Sequence, residues 1–139
     1  MLMCKVLVEN LYYDGPRGGI TSIDGRHYRF VSDFNDDIGF TDEFSLYLIS
    51  ESELKLEIEQ WQIFVKWHKK YQSGELKADS HPGHGGISKR WDEIEQALAI
   101  NRKDTSNFKF KATATFTRND QELQYDLNGP CYDVSWHFL

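Results

Sequence analysis

His81 and His84 stand three residues apart in SGELKADSHPGHGGI (residues 73–87), with Asp79 close by. Two imidazoles and a carboxylate are ligands that zinc accepts, and zinc with one open coordination position would serve a metal-dependent hydrolase. Such a site needs deprotonated imidazoles, so its metal should be lost as pH falls through ~6.5. Pro82 and the neighbouring glycines rule out the helical spacing of common zinc enzymes. The competing expectation is a solvated loop that uses those residues to turn, with no resident cofactor.

A second group is basic. Arg17, Arg26, His27 and Arg29 lie among the turns of YYDGPRGGITSIDGRHYRF (residues 12–30) and, if they converge, would hold a small anionic ligand. A third group, Asp33-Phe34-Asn35-Asp36-Asp37, opens like a calcium loop. Ile38 stands where that loop needs glycine and Phe44 where it needs a bidentate glutamate, so an acidic turn is expected instead. The chain has no Gly-x-Ser-x-Gly elbow and no Walker lysine, and neither cysteine has a histidine beside it. No catalytic residue is assigned.

The elements that position these groups can be read from periodicity. Asp24-Gly25 between Gly19–Ile23 and Arg26–Phe30 is the signal of a two-residue hairpin loop, because both central residues must reach positive φ. In that register Ile23, Tyr28 and Phe30 share one face, and Ile20, His27 and Arg29 the other. Phe44, Leu46 and Leu48 alternate with Ser45, Tyr47 and Ile49 in a further strand. Ser50 and Glu53 form a capping box that opens a helix over about 51–72, acidic at its start and basic at its end. On that helix Leu54, Ile58, Trp61 and Val65 form one apolar stripe. Leu56, Ile63, Trp67 and Tyr71 form a nearly opposite one.

A sheet can cover the first stripe, and a second helix over about 88–101, carrying Trp91, Ile94 and Leu98, can cover the other. If the second helix leaves its stripe open, those four residues would engage a protein partner or a second copy of the chain. The last third reads as a three-stranded meander. Phe108 to Phe116 alternate with polar residues, Leu123, Tyr125 and Leu127 alternate again, and Tyr132, Val134, Trp136 and Phe138 finish it.

The expected fold is therefore α+β: one domain over residues 1–139, in which a bent, barrel-like antiparallel sheet of N- and C-terminal strands packs on a helical hairpin. With 139 residues, 14% aromatic and 27% charged, the chain is able to bury a core. Its 16 basic against 22 acidic side chains, a net charge of −6, offer phosphates no basic excess, which argues against nucleic acid or an anionic membrane surface as partner. The N-terminus lacks the apolar run and cleavage site of an export signal, so a cytoplasmic protein with reduced Cys4 and Cys131 is expected, although a bond between them is open.

YYDGPRGGI, GRHYRF, DEFSLYLI, EQWQIFVKW and the His-Pro pair of the interhelical loop together resemble a family of uncharacterised bacterial proteins over about residues 11–100. The resemblance implies a bacterial, cytosolic origin and carries over no activity. The leading functional expectation is a nonenzymatic binding or regulatory protein that engages a protein partner or a small anionic ligand. The alternative is the hydrolase built on Asp79, His81 and His84.

Overall fold

The computed structural model describes residues 2–119 and 125–139. Four strands come first: β1 (Leu2–Tyr12), β2 (Pro16–Ile23), β3 (Arg26–Asn35) and β4 (Gly39–Leu48). Helices α1 (Glu51–Gln72) and α2 (Lys89–Lys103) follow, and β5 (Phe108–Arg118) and β6 (Tyr132–Phe138) complete the described order. The strands form a closed antiparallel barrel in sequence order, with β6 returning to β1 through the Leu2↔Trp136 to Lys5↔Asp133 register. Closure gives each of these strands two neighbours and removes the open edges that invite aggregation. Among the described residues no helix is long and apolar enough to cross a membrane.

Alternation decides what fills the barrel. Ile23, Tyr28, Phe30, Phe44, Leu46, Ala112, Val134 and Trp136 point inward, and Trp136 packs against Phe30 and Phe44 with ring centroids 5.5 and 5.6 Å apart. The β2–β3 turn has the conformation its sequence predicts, with Asp24 at φ 51° and Gly25 at φ 78°. Gly25→Ala should therefore cost about 1 kcal/mol through backbone strain alone, since no atom lies within 4 Å of an added methyl there. Chemical denaturation checks that value.

Helix α1 begins where Ser50 accepts a hydrogen bond from the Glu53 amide. Its Trp61 and Val65 are buried against Val8 and Ile20 on the outer barrel wall, with Leu54 and Ile58 packed beside them. The first apolar stripe thus covers the sheet as expected. Helix α2 starts at its Ser88 cap and buries Ile94 and Leu98 fully.

The bonds between the helices are made by Glu57, Glu59 and Gln60 of α1 with Glu95, Arg90 and Arg102, and at 100° per residue Glu57 and Glu59 flank Leu56 and Ile63 of the second stripe. One expectation is corrected: β5 pairs directly with β6 from Ala112↔Phe138 to Arg118↔Tyr132, so no third strand stands between them as in a meander. The expected middle strand falls partly outside the described residues at Leu123. Its remainder is nonstrand: Tyr125 packs on α1, and an isolated bridge joins Asp126 to Gly129. Trp61 explains the detour, because its indole nitrogen donates to the Asp126 carbonyl at 2.7 Å and pins this segment over α1.

A candidate ligand cleft between barrel and helices

Where α1 leaves the barrel wall, β1, β3 and the two helices enclose a cleft of about 690 Å³, within the range of small-molecule sites. Trp61, Phe64, Trp91 and Tyr125 supply aromatic walls, with Tyr12 at the end of β1. Phe64 and Tyr125 meet edge to face at 5.2 Å, and Trp61 and Tyr125 at 5.5 Å.

The opposite wall is ionic. Arg102 reaches back from the last turn of α2 and donates to Glu57 at 2.8 Å, to Gln60 at 3.0 Å and to Glu95 at 2.7 Å. Gln60 in turn donates to Glu95 at 3.0 Å. Glu57 is fully buried, and that requires a partner, since an isolated carboxylate loses far more hydration than apolar packing returns. Burial raises the proton affinity of Glu95, but hydrogen bonds from Gln60 and Arg102 outweigh it and hold the carboxyl below its ordinary value.

Arg29 lies beside this network. Its guanidinium donates to the Arg102 carbonyl at 2.7 Å and to the Asp104 carbonyl at 3.4 Å, capping the C-terminal end of α2. It also lies over the Tyr47 ring, 4.6 Å from the centroid, and 4.0 Å from Glu53. Burial pushes the Glu53 carboxyl up against the pull of Arg29.

Glu9 faces the cleft from β1 with its Oε2 buried and without a hydrogen-bond partner; the Oε2 atoms of Glu53 and Glu57 are also unpartnered, but those acids face Arg29 and Arg102 and do not line the cleft. Burial pushes its carboxyl from the ordinary 4.5 to about 7, with attraction to Arg118 opposing. The folded chain then keeps a proton that the unfolded chain has released between those values. Stability from this group is present below about 4.5 and lost as pH rises through about 7. Wild type should therefore lose stability relative to Glu9→Gln between pH 5 and pH 8, read from paired urea midpoints. Parallel curves would show that Glu9 titrates as if exposed.

The basic group does not converge. Arg17 clamps the β1–β2 loop by donating to the Tyr13 and Thr41 carbonyls, at 2.8 and 3.2 Å. Arg26 is exposed at the β2–β3 turn, and His27 lines a separate hollow with Met3, Cys4 and Lys5. Of the four, Arg29 alone borders the cleft. Their places along the strands explain the split: Arg17 opens β2, Arg26 and His27 stand at the β2–β3 turn, and Arg29 lies further along β3, where the end of α2 meets it.

The metal expectation fares similarly. Among the described residues no three His, Cys, Asp or Glu side chains form a group that could hold a metal. His81 instead packs among Phe64, Trp67 and Trp91, and its Nδ1 accepts the Gly83 amide at 2.8 Å. Its ring lies 5.6 Å from that of His84, while Asp79 is exposed. Burial lowers the His81 proton affinity, with nearby His84 and His68 adding to the effect. In the acidic turn, Asp33 is held by Ser45 and Lys111, and Asn35 caps the Asp37 amide.

On the second stripe of α1, Leu56 and Ile63 are half-buried and Tyr71 is exposed. Trp67 stacks on Tyr71 at 5.0 Å and donates to the Ser80 hydroxyl at 2.9 Å, so the interhelical loop covers it. Trp67→Ala should cost about 2 kcal/mol, less than a fully buried tryptophan. A recruiting surface would instead leave stability unchanged and abolish self-association, which unfolding beside sedimentation distinguishes.

Sequence reasoning missed Glu9, Glu57, Gln60, Glu95 and Arg102. Their only sequence signal is polarity at strand or helix positions that an amphipathic reading assigns to solvent. No protein-family model, curated protein or solved structure matches the chain.

Proposed function

We propose that the chain is a nonenzymatic binding protein whose ligand is a small organic molecule seated between the barrel wall and the helical hairpin. The observation that carries this reading is the pairing of aromatic walls with a fixed, buried ionic wall around a cleft of about 690 Å³. Buried ion pairs contribute little net stability and are replaceable by apolar side chains, so a chain that needed only a core would not require Glu57 and Arg102 here. Departures from simple core chemistry concentrate where a protein functions. The network also holds its side chains in place before a ligand arrives, which reduces the ordering that binding must impose.

A blocking substitution tests the reading. Val31 lies on the rim at 36% exposure, so Val31→Trp adds a ring to the cleft without disturbing the barrel interior. Fragments that bind wild type in a saturation-transfer screen should lose about tenfold or more in affinity to this variant, at an unchanged unfolding midpoint. Fragments that bind both proteins equally would place the ligand elsewhere.

A further inference from the structure

The charges around the cleft do not balance. Glu57 and Glu95 are matched by Arg102, and Glu53 stands against Arg29, so both arginines that line the cleft are already engaged by carboxylates or carbonyls. The Nε of each is buried without a hydrogen-bond partner, but an anion that drew either guanidinium out of these contacts would leave the buried Glu53 or Glu57 without its cation. Of the two acids that line the cleft among the described residues, Glu95 is bonded by Gln60 and Arg102, and Glu9 has a buried oxygen that no hydrogen bond uses. Arg118 from β5 acts on it, and its own charge acts on Tyr132 from β6 and on Tyr125 ahead of that strand. Arg118 is exposed, sits over the Tyr132 ring 6.0 Å from its centroid, and is not among the side chains that line the cleft.

We propose that the cleft takes an organic cation, an amine or a protonated nitrogen heterocycle, whose charged head is received by Glu9 and whose body lies against Trp61, Phe64 and Tyr12. A carboxylate and aromatic faces are the two surfaces that attract such a cation, the first by a charge-assisted hydrogen bond and the second through the ring quadrupole. The inference rests on the cleft being the binding site, and it names the ligand class. The unpartnered oxygen then acquires a donor. Arrival of the cation also keeps the Glu9 carboxyl ionised, so binding near neutral pH should release about half a proton, as expected of an acid that titrates near 7.

Three probes of equal ring size separate the outcomes: phenethylamine, 3-phenylpropionate and 2-phenylethanol. Each is titrated at pH 8 while the indole N–H signals of Trp61 and Trp91 are followed, with Trp136 of the barrel interior as reference. The amine should bind about tenfold tighter than the acid or the alcohol. Glu9→Gln should remove that preference and leave alcohol binding as it was, with the Trp136 signal reporting an intact barrel. Lowering the pH to 5.5 should weaken the amine on wild type and not on the variant. Equal or better binding of the acid, or an amine preference that survives Glu9→Gln, overturns the cation assignment while leaving the cleft as the site. If none of the three moves the Trp61 and Trp91 signals, the cleft reading falls and this inference with it.

Discussion

Arg102→Ala should destabilise the protein by about 3–5 kcal/mol, although the residue lies on a helix far from the barrel interior. Its guanidinium is the ion-pair partner of Glu57, a carboxylate with no exposure to water, and it also bonds Gln60 and Glu95. Removing the cation strands the acid in a medium that cannot solvate it. Water must then be drawn in between the helices to reach it. Replacing both residues, Arg102→Leu with Glu57→Leu, should recover much of the loss, because removing a buried pair together is far cheaper than breaking it. Urea unfolding of the two single variants and the double variant forms the cycle that isolates the pair. A single-variant cost below about 1 kcal/mol would show that water already reaches Glu57.

Gly19→Ala should be nearly as damaging for an unrelated reason. The glycine lies on β2 opposite Glu9, and a methyl placed there would stand 2.0 Å from the Val8 carbonyl oxygen and 2.9 Å from the Phe30 ring. Neither neighbour can yield, since Val8 is ladder backbone and Phe30 is fully buried among Phe44, Phe116 and Trp136. Overpacking of this kind costs about 3 kcal/mol or more when backbone must move. At Gly18 the nearest atoms are the Asn10 side chain and the Leu11 Cβ, both at 3.3 Å, and Asn10 can rotate away. Gly18→Ala should stay within about 1 kcal/mol of wild type. Thermal melts of the two alanine variants compare adjacent residues of one strand. Equal losses would mean that β1 shifts freely against β2.

Much of this architecture is legible before any coordinates. Period-two alternation marks the inward residues of β3, β4, β5 and β6, because a strand must send successive side chains to opposite faces. Asp24-Gly25 sets the tightest turn, and Ser50 and Ser88 start the helices through local hydrogen bonds that need no distant partner. Local rules also err in identifiable places. The apolar spacing of Tyr125 and Leu127 reads as a strand, yet the Trp61 hydrogen bond and the α1 surface hold that segment in another conformation. The Leu56 to Tyr71 stripe invites a helix partner, but the ion pair and hydrogen bonds that fix α2 beside it, through Glu57 and Gln60, are not legible in that pattern.

The cleft belongs to the tertiary structure. Sequence by itself determined the strands, their inward faces, the helices with their caps, and the barrel-like sheet packed on a helical hairpin, because those depend on periodicity and on contacts a few residues apart. It could not place Glu9 beside Tyr125, or join Glu57 to an arginine 45 residues later. Those meetings arise when barrel closure brings the last strand back to the first and the helical hairpin folds over the β1–β3 wall. Burial then converts side chains that look like ordinary solvated charges into a fixed ionic wall and a carboxyl that titrates near 7. A charge pattern along the chain carries no record of the dielectric it will occupy, and that dielectric is what gives the site its chemistry.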